Sequence, residues 1–187
     1  SGIRLGEGKL IDGMVVDGLW DVYSNKHMGS CAEMCAEKFN ISREEQDDFA
    51  IESYKKSQDS IRKGFFSEEI VPVEIIKKKE TIFINEDEEP TRVVFEKIKK
   101  LNTVFKKNGS VTAGNASTIN DGAAVCLIMS SEKADKLGLK PIVEIVNHSS
   151  YSHDPEWFTT APISAIKKLL EQNNLKLEDI DLFEINE

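Results

Sequence analysis

With 30 % charged and 40 % hydrophobic side chains, a chain of 187 residues is long enough to bury a core and too apolar to remain disordered. Its formal net charge of -9 excludes a general nucleic-acid surface, and its three cysteines, an odd number, exclude a disulfide scaffold and point to a reducing compartment. No apolar run approaches the ~20 residues of a membrane helix.

The opening "SGIRLGEGKL" has no signal or transit character. It reads as a cut edge, with Ser1-Gly2 as a scar, so that lack says nothing about compartment. Residues 2–18 are Gly-rich and read as loop. Helical spacing runs from His27 to Phe39. The clearest helix lies in "ISREEQDDFAIESYKKSQDSIRKGF". There Ser42 and Glu45 form a capping box, Phe49, Tyr54 and Ile61 mark an apolar face, and Gly64 is the stop. Residues 70–76 read as a strand, at a sheet edge because of Pro72. A second short strand is expected at residues 81–84 within the charged stretch 77–100.

"GSVTAGNASTINDGAAVCLIM", Gly109 to Met129, carries one charge, Asp121. Up to Ala124 its side chains are almost all small, and small side chains let backbone approach another backbone or a ligand closely. Packing alone is the reading the residues favour, with a ligand-contacting loop as the alternative. It has neither order of glycines that cradles phosphate in nucleotide-binding loops. Residues 123–129 then read as a strand buried on both faces. A short helix follows at 131–137, closed by Gly138. Strand 141–147, helix 162–172 and strand 180–185 make a βαβ unit. "LKLEDIDLFEINE" stops just after a core strand, so the chain reads as a fragment.

Local chemistry is sparse. Cys31 and Cys35 share a helix face, but two thiols without a second pair do not make a zinc site, and burial is the better reading. Cys126 is expected in the core. His27, His148 and His153 lack metal spacing. Lys97, Lys99, Lys100, Lys106 and Lys107 form a basic cluster, read as a solvated face, with a polyanionic ligand as the alternative. No nucleophile and base can be paired from spacing.

Three motifs reach further. "DGLWDVYSNKHMGSCAEMCAEKFNISREEQDDFAIESYKKS", "GSVTAGNASTINDGAAV" and "DIDLFEINE" together resemble the thiolase family, nearest its biosynthetic, mitochondrial, potassium-responsive branch. Order and spacing match along the whole chain, with small length differences between Lys77 and Gly109. The resemblance implies an α/β, thiolase-like fold fragment: an inserted coenzyme A-binding loop domain plus parts of two α/β halves. Residues 1–119 would be the loop domain, 120–135 a strand returning to the N-terminal half, and 136–187 the start of the C-terminal half.

It also implies roles. Arg92, Val93, Val94 and Lys97 would hold the adenine and its phosphate, and Ser117 the pantetheine. His27 and Met28 would lie beside pantetheine and acyl group, with Phe158 over the acyl group. Tyr54 would line both the coenzyme A site and a potassium site made by the carbonyls of Ala113, Gly114 and Ala116. Asn186 would fix a catalytic water in an oxyanion hole. The implied reaction condenses two acetyl-CoA into acetoacetyl-CoA and coenzyme A, or reverses it, with a coenzyme A thioester as substrate and no prosthetic group. A mitochondrial homotetramer with no nucleic-acid or membrane partner is implied, the cytoplasm being the alternative compartment. A non-catalytic acyl-CoA binder and a longer-chain 3-ketoacyl-CoA thiolase are the other readings. Cys31, Cys35 and Cys126 match none of the family's catalytic cysteines. Thr159 stands where the branch has proline, which bears on branched substrates.

Overall fold

The computed structural model describes residues 5–78 and 80–186. Ser1 and Gly2, read as a scar, and Glu187 of the terminal Asn-Glu pair lie outside them. The chain divides into two units, Ser1–Thr118 and Ile119–Glu187.

The first unit begins with a departure from the sequence reading. Helix α1, Gly13–Gly18, lies where loop is expected, because the Asp12 carboxylate accepts the Met14 amide at 2.9 Å and caps a single turn that glycines flank. Strands β1, Trp20–Asp21, and β2, Lys26–His27, pair antiparallel, with Trp20 opposite His27. Strand β2 runs directly into helix α2, Met28–Phe39, so His27 serves as its N-cap. Helix α3, Arg43–Arg62, starts with the expected capping box: Ser42 N–H donates to the Glu45 carboxylate at 2.7 Å, and Glu45 N–H to the Ser42 hydroxyl at 3.2 Å. It stops as expected at Gly64, whose φ of +69° lets the Phe65 amide reach back to the Ser60 carbonyl at 3.1 Å.

Strands β3, Val73–Ile76, and β4, Thr81–Ile84, form an antiparallel hairpin, with Val73 opposite Ile84. The first strand starts later than Ile70, because the Ile70 amide is already bonded to the Phe66 carbonyl in the turn after α3. Proline at 72 sits just ahead of the ladder, where its missing N–H costs nothing. Two single turns follow, α4 (Glu89–Arg92) and α5 (Phe95–Ile98). The interior of this unit contains Cys31, Ala36, Ile98 and Val111, together with the polar Glu33, Asp47 and Thr112. Phe49, read as part of an apolar face, is 61 % exposed; α3 instead buries the carboxylate of Asp47.

In the second unit, helix α6, Ser131–Leu137, is capped by the Ser130 hydroxyl and closed by Gly138. A 3-10 turn, Pro155–Thr160, leads into helix α7, Ala161–Gln172. The three strands expected at 123–129, 141–147 and 180–185 do not form. Val125 is 95 %, Ile142 97 % and Leu182 85 % exposed. Cys126, expected in the core, is exposed too. A strand exists only where a neighbour completes its ladder, and among the described residues none is paired with these segments. Their composition records a buried sheet position; the βαβ unit it implies is not hydrogen-bonded in this chain. No described helix is long and apolar enough to cross a membrane.

Candidate functional site

The small-residue loop is held from beneath by two buried carboxylates, one from each long helix. Glu33 of α2 accepts the amides of Ser110 at 2.9 Å and Val111 at 2.8 Å, and the Ser110 hydroxyl at 3.1 Å. Asp47 of α3 accepts the Asn115 carboxamide at 2.9 Å and the Arg43 guanidinium at 2.7 Å. Asn115 in turn accepts the Thr112 amide at 2.7 Å and donates to the Ser110 carbonyl at 3.0 Å. Arg43 also donates to the carbonyls of Ile98 and Leu101, at 3.1 Å each. The Thr112 carbonyl accepts the Asn115 and Ala116 amides, closing a compact turn.

Small side chains have a measurable reason at two positions. A Cβ on Gly109 would lie 2.7 Å from the Glu33 carboxyl carbon, and one on Gly114 2.7 Å from Leu101 Cδ1. The packing reading therefore holds for these two positions.

Among the described residues, the carbonyls of Ala113, Gly114 and Ala116 accept no hydrogen bond. Neutral carbonyl donors suit a weakly hydrated monovalent cation. A Zn-type cluster of three or more His, Cys, Asp or Glu is absent among the described residues. Ser117 is exposed at the end of the turn.

Tyr54 lies seven residues beyond Asp47 on α3, two turns along the same face or about 10 Å. Its phenol donates to Glu89 at 2.9 Å, while Gln58 donates to the Pro90 carbonyl at 2.6 Å, so α3 anchors the single turn α4. Burial, then the Glu89 hydrogen bond and charge, push the Tyr54 pKa up to about 12. A phenol that donates its proton to a carboxylate keeps its oxygen lone pairs available to a cation.

Arg92 is exposed and paired with Glu88 at 2.7 Å. Val93 is half-buried, Val94 exposed, and Lys97 exposed without an ion pair among the described residues. Lys99 and Lys106 of the basic cluster pair instead with Asp48, at 2.7 Å, and with Glu37. At the other end of α2, His27 Nδ1 accepts the Gly29 amide at 3.0 Å and its ring lies 4.7 Å from that of Phe105, with Met28 half-buried beside it. The first unit thus brings its helix N-cap histidine and its loop onto one framework, α2.

In the second unit Phe158 is part-exposed in the 3-10 turn and Asn186 is exposed. Thr159, next to Phe158, buries a hydroxyl oxygen that has no hydrogen-bond partner among the described residues. The residues that sequence reasoning missed are Glu33, Asp47 and Asn115. Only Asn115 carried a local signal, as the one amide within "TAGNAS"; the two carboxylates sit in helices with nothing nearby in sequence to mark them.

Residues 1–132 match the thiolase N-terminal domain and residues 139–187 the thiolase C-terminal domain, and the chain belongs to the thiolase family. It is 52 % identical over 181 residues to acetyl-CoA acetyltransferase A, mitochondrial, of Xenopus laevis, covering 96 % of this chain and 43 % of that protein. It is 48 % identical over 186 residues to an acetyl-CoA acetyltransferase of Yarrowia lipolytica, covering 100 % of this chain and 47 % of that one. The crystal structure of the Bacillus anthracis acetyl-CoA acetyltransferase superposes with a TM-score of 0.93 at 41 % identity, over 99 % of this chain and 47 % of that one. A thiolase of Ascaris suum in complex with coenzyme A superposes with a TM-score of 0.92 at 40 % identity, over 100 % of this chain and 48 % of that one. The chain has the fold of part of a thiolase, and it spans about half the length of the relatives it matches.

Proposed function

We propose that the protein carrying this chain is an acetyl-CoA acetyltransferase, joining two acetyl-CoA into acetoacetyl-CoA and coenzyme A and catalysing the reverse thiolysis. The observation that carries this reading is the loop at 109–117, built of small residues and hydrogen-bonded to two buried carboxylates, in a chain of this family whose relatives bear that name. The thiolase of Ascaris suum with coenzyme A bound gives the ligand class.

In this reading residues 1–119 are the coenzyme A-binding loop domain, 120–135 return to the N-terminal half, and 136–187 begin the C-terminal half. Arg92 and Lys97 grip the phosphate, with Val93 and Val94 against the adenine. Exchanging Glu88 for a phosphate costs Arg92 little, since an exposed ion pair contributes only about 0–1 kcal/mol. Ser117 meets the pantetheine, and small side chains leave it room. His27 and Met28 border the pantetheine and acyl group, and Phe158 covers the acyl group. The carbonyls of Ala113, Gly114 and Ala116 and the phenol oxygen of Tyr54 hold potassium, which stiffens the loop. Asn186 both donates and accepts, so it holds a water whose hydrogen faces the thioester oxygen.

The acyl-accepting thiolate and the general base come from outside these residues. Cys31 is buried in α2, Cys35 is half-buried on the same helix, and Cys126 is exposed. Acylation makes a thioester to the enzyme and releases coenzyme A. The deprotonated methyl carbon of a second acetyl-CoA then displaces the enzyme thiolate. The protein acts as a mitochondrial homotetramer.

Thiolysis of acetoacetyl-CoA by the full-length protein tests the proposal. Turnover is expected there. Retained coenzyme A binding without turnover overturns the acetyltransferase reading and leaves an acyl-CoA binder.

A further inference from the structure

We propose that Glu33 and Asp47 are positioning residues for the coenzyme A loop: two buried carboxylates that set the shape of backbone 109–116 without touching the ligand. The inference rests on the proposed coenzyme A site and deepens it.

A loop of Gly, Ala, Ser and Thr has little side-chain packing of its own, and its conformational entropy is high. Its shape must be imposed by hydrogen bonds. Glu33 takes the amides of Ser110 and Val111, and Asn115, held by Asp47, takes that of Thr112. Three successive N–H groups are thereby satisfied on the protein side. The carbonyls of Ala113, Gly114 and Ala116 are left for something else, since among the described residues they accept nothing. Glu33 is 4 % and Asp47 2 % exposed, so neither is accessible to a ligand itself.

Stability alone is a poor reason for this arrangement. Desolvating a carboxylate consumes much of what its bonds return, and apolar replacements of buried ionic groups are often as stable. What an apolar residue cannot do is bind two adjacent backbone amides and fix their direction. Glu33 also shares α2 with His27, whose ring nitrogen caps the helix. His27, Met28 and the loop are therefore indexed to the same helix, and Asp47 ties the return of the turn to α3.

The test is made in the full-length protein with Glu33→Gln, which keeps the side-chain shape and turns one acceptor oxygen into a donor facing amide N–H groups. Amide exchange at Ser110 and Val111 should accelerate, and KM for the coenzyme A thioester should rise about 10-fold, as is typical when a supporting contact is lost, with exchange in α3 unchanged. Asn115→Ala, which cuts the Asp47 tie from the loop side, is the second variant and should raise KM in the same direction. Faster exchange or a lower Tm with wild-type KM in either variant makes the carboxylates merely structural and overturns the proposal. So does unchanged exchange at Ser110 and Val111. Calorimetric titration of the wild type with coenzyme A separates the two levels: no binding removes the underlying site, whereas binding with an unaffected Glu33→Gln removes only the positioning role.

Discussion

Tyr54 and Glu89 are joined by a 2.9 Å hydrogen bond in which the phenol donates, across 35 residues of sequence. The bond fixes the first turn after the hairpin to the middle of the longest helix, and it keeps the proton on the tyrosine.

A titration should reveal this bond. Burial first, and Glu89 second, raise the Tyr54 pKa from 10.0 to about 12. The folded state holds the proton more tightly than the unfolded one. The stabilisation is therefore complete below pH 10 and is lost as pH rises from there through about 12. The tyrosinate absorbance of the protein minus that of Tyr54→Phe should have its midpoint near 12. Glu89→Gln should lower it without restoring the ordinary value, because burial remains. A midpoint at the ordinary value in the native protein would remove the Tyr54–Glu89 contact.

Arg92 and Lys97 should govern binding and not chemistry. In the full-length protein Arg92→Ala with Lys97→Ala should raise KM for the coenzyme A substrate with kcat nearly unchanged, the mark of lost uniform binding. Steady-state kinetics as salt is varied would show it, and an unchanged KM would return both residues to a solvated face.

Gly109 and Gly114 should differ in tolerance. At Gly109 an added methyl meets a buried carboxylate already committed to three donor groups, which it cannot displace without loosening their bonds. At Gly114 it meets the end of the Leu101 side chain. Gly109→Ala should cost about 1–3 kcal/mol, as overpacking does, and Gly114→Ala clearly less. Urea denaturation with comparable slopes would measure the difference, and equal costs would mean the loop yields at both places.

Asn186→Ala in the full-length protein should lower kcat by roughly the 10²-fold typical of a lost oxyanion donor, or by less because a water intervenes. Coenzyme A affinity and Tm should hold. A wild-type kcat with a lowered Tm would make Asn186 a structural residue at the end of its segment.

The sequence was legible where structure is local. Helix α3 could be read to its ends because its capping box and its terminal glycine are chemistry between near neighbours. The two strands at 73–76 and 81–84 were legible from their short apolar runs, though not their pairing. The strand readings at 123–129, 141–147 and 180–185 failed because apolar composition says that a segment wants a partner, without saying where that partner is. Helix α1 escaped because a turn held by one aspartate among glycines has no periodicity to detect. The candidate site divided the same way. The loop announced itself by its small residues, and its family resemblance supplied names for its contacts. Glu33 and Asp47 remained hidden, because their partners lie 77 and 68 residues away.

The bare segments of the second unit bear on how these 187 residues behave apart from further chain. Unpaired apolar backbone recruits strands from other molecules, and charge or proline is what ordinarily prevents it. Glu144 interrupts one segment, and Asp181 and Glu184 lie within another. "AAVCLIM", residues 123–129, has no such guard, and Cys126 stands exposed in its centre. That heptapeptide is the point from which self-association, and under oxidising conditions intermolecular disulfide cross-linking, would spread.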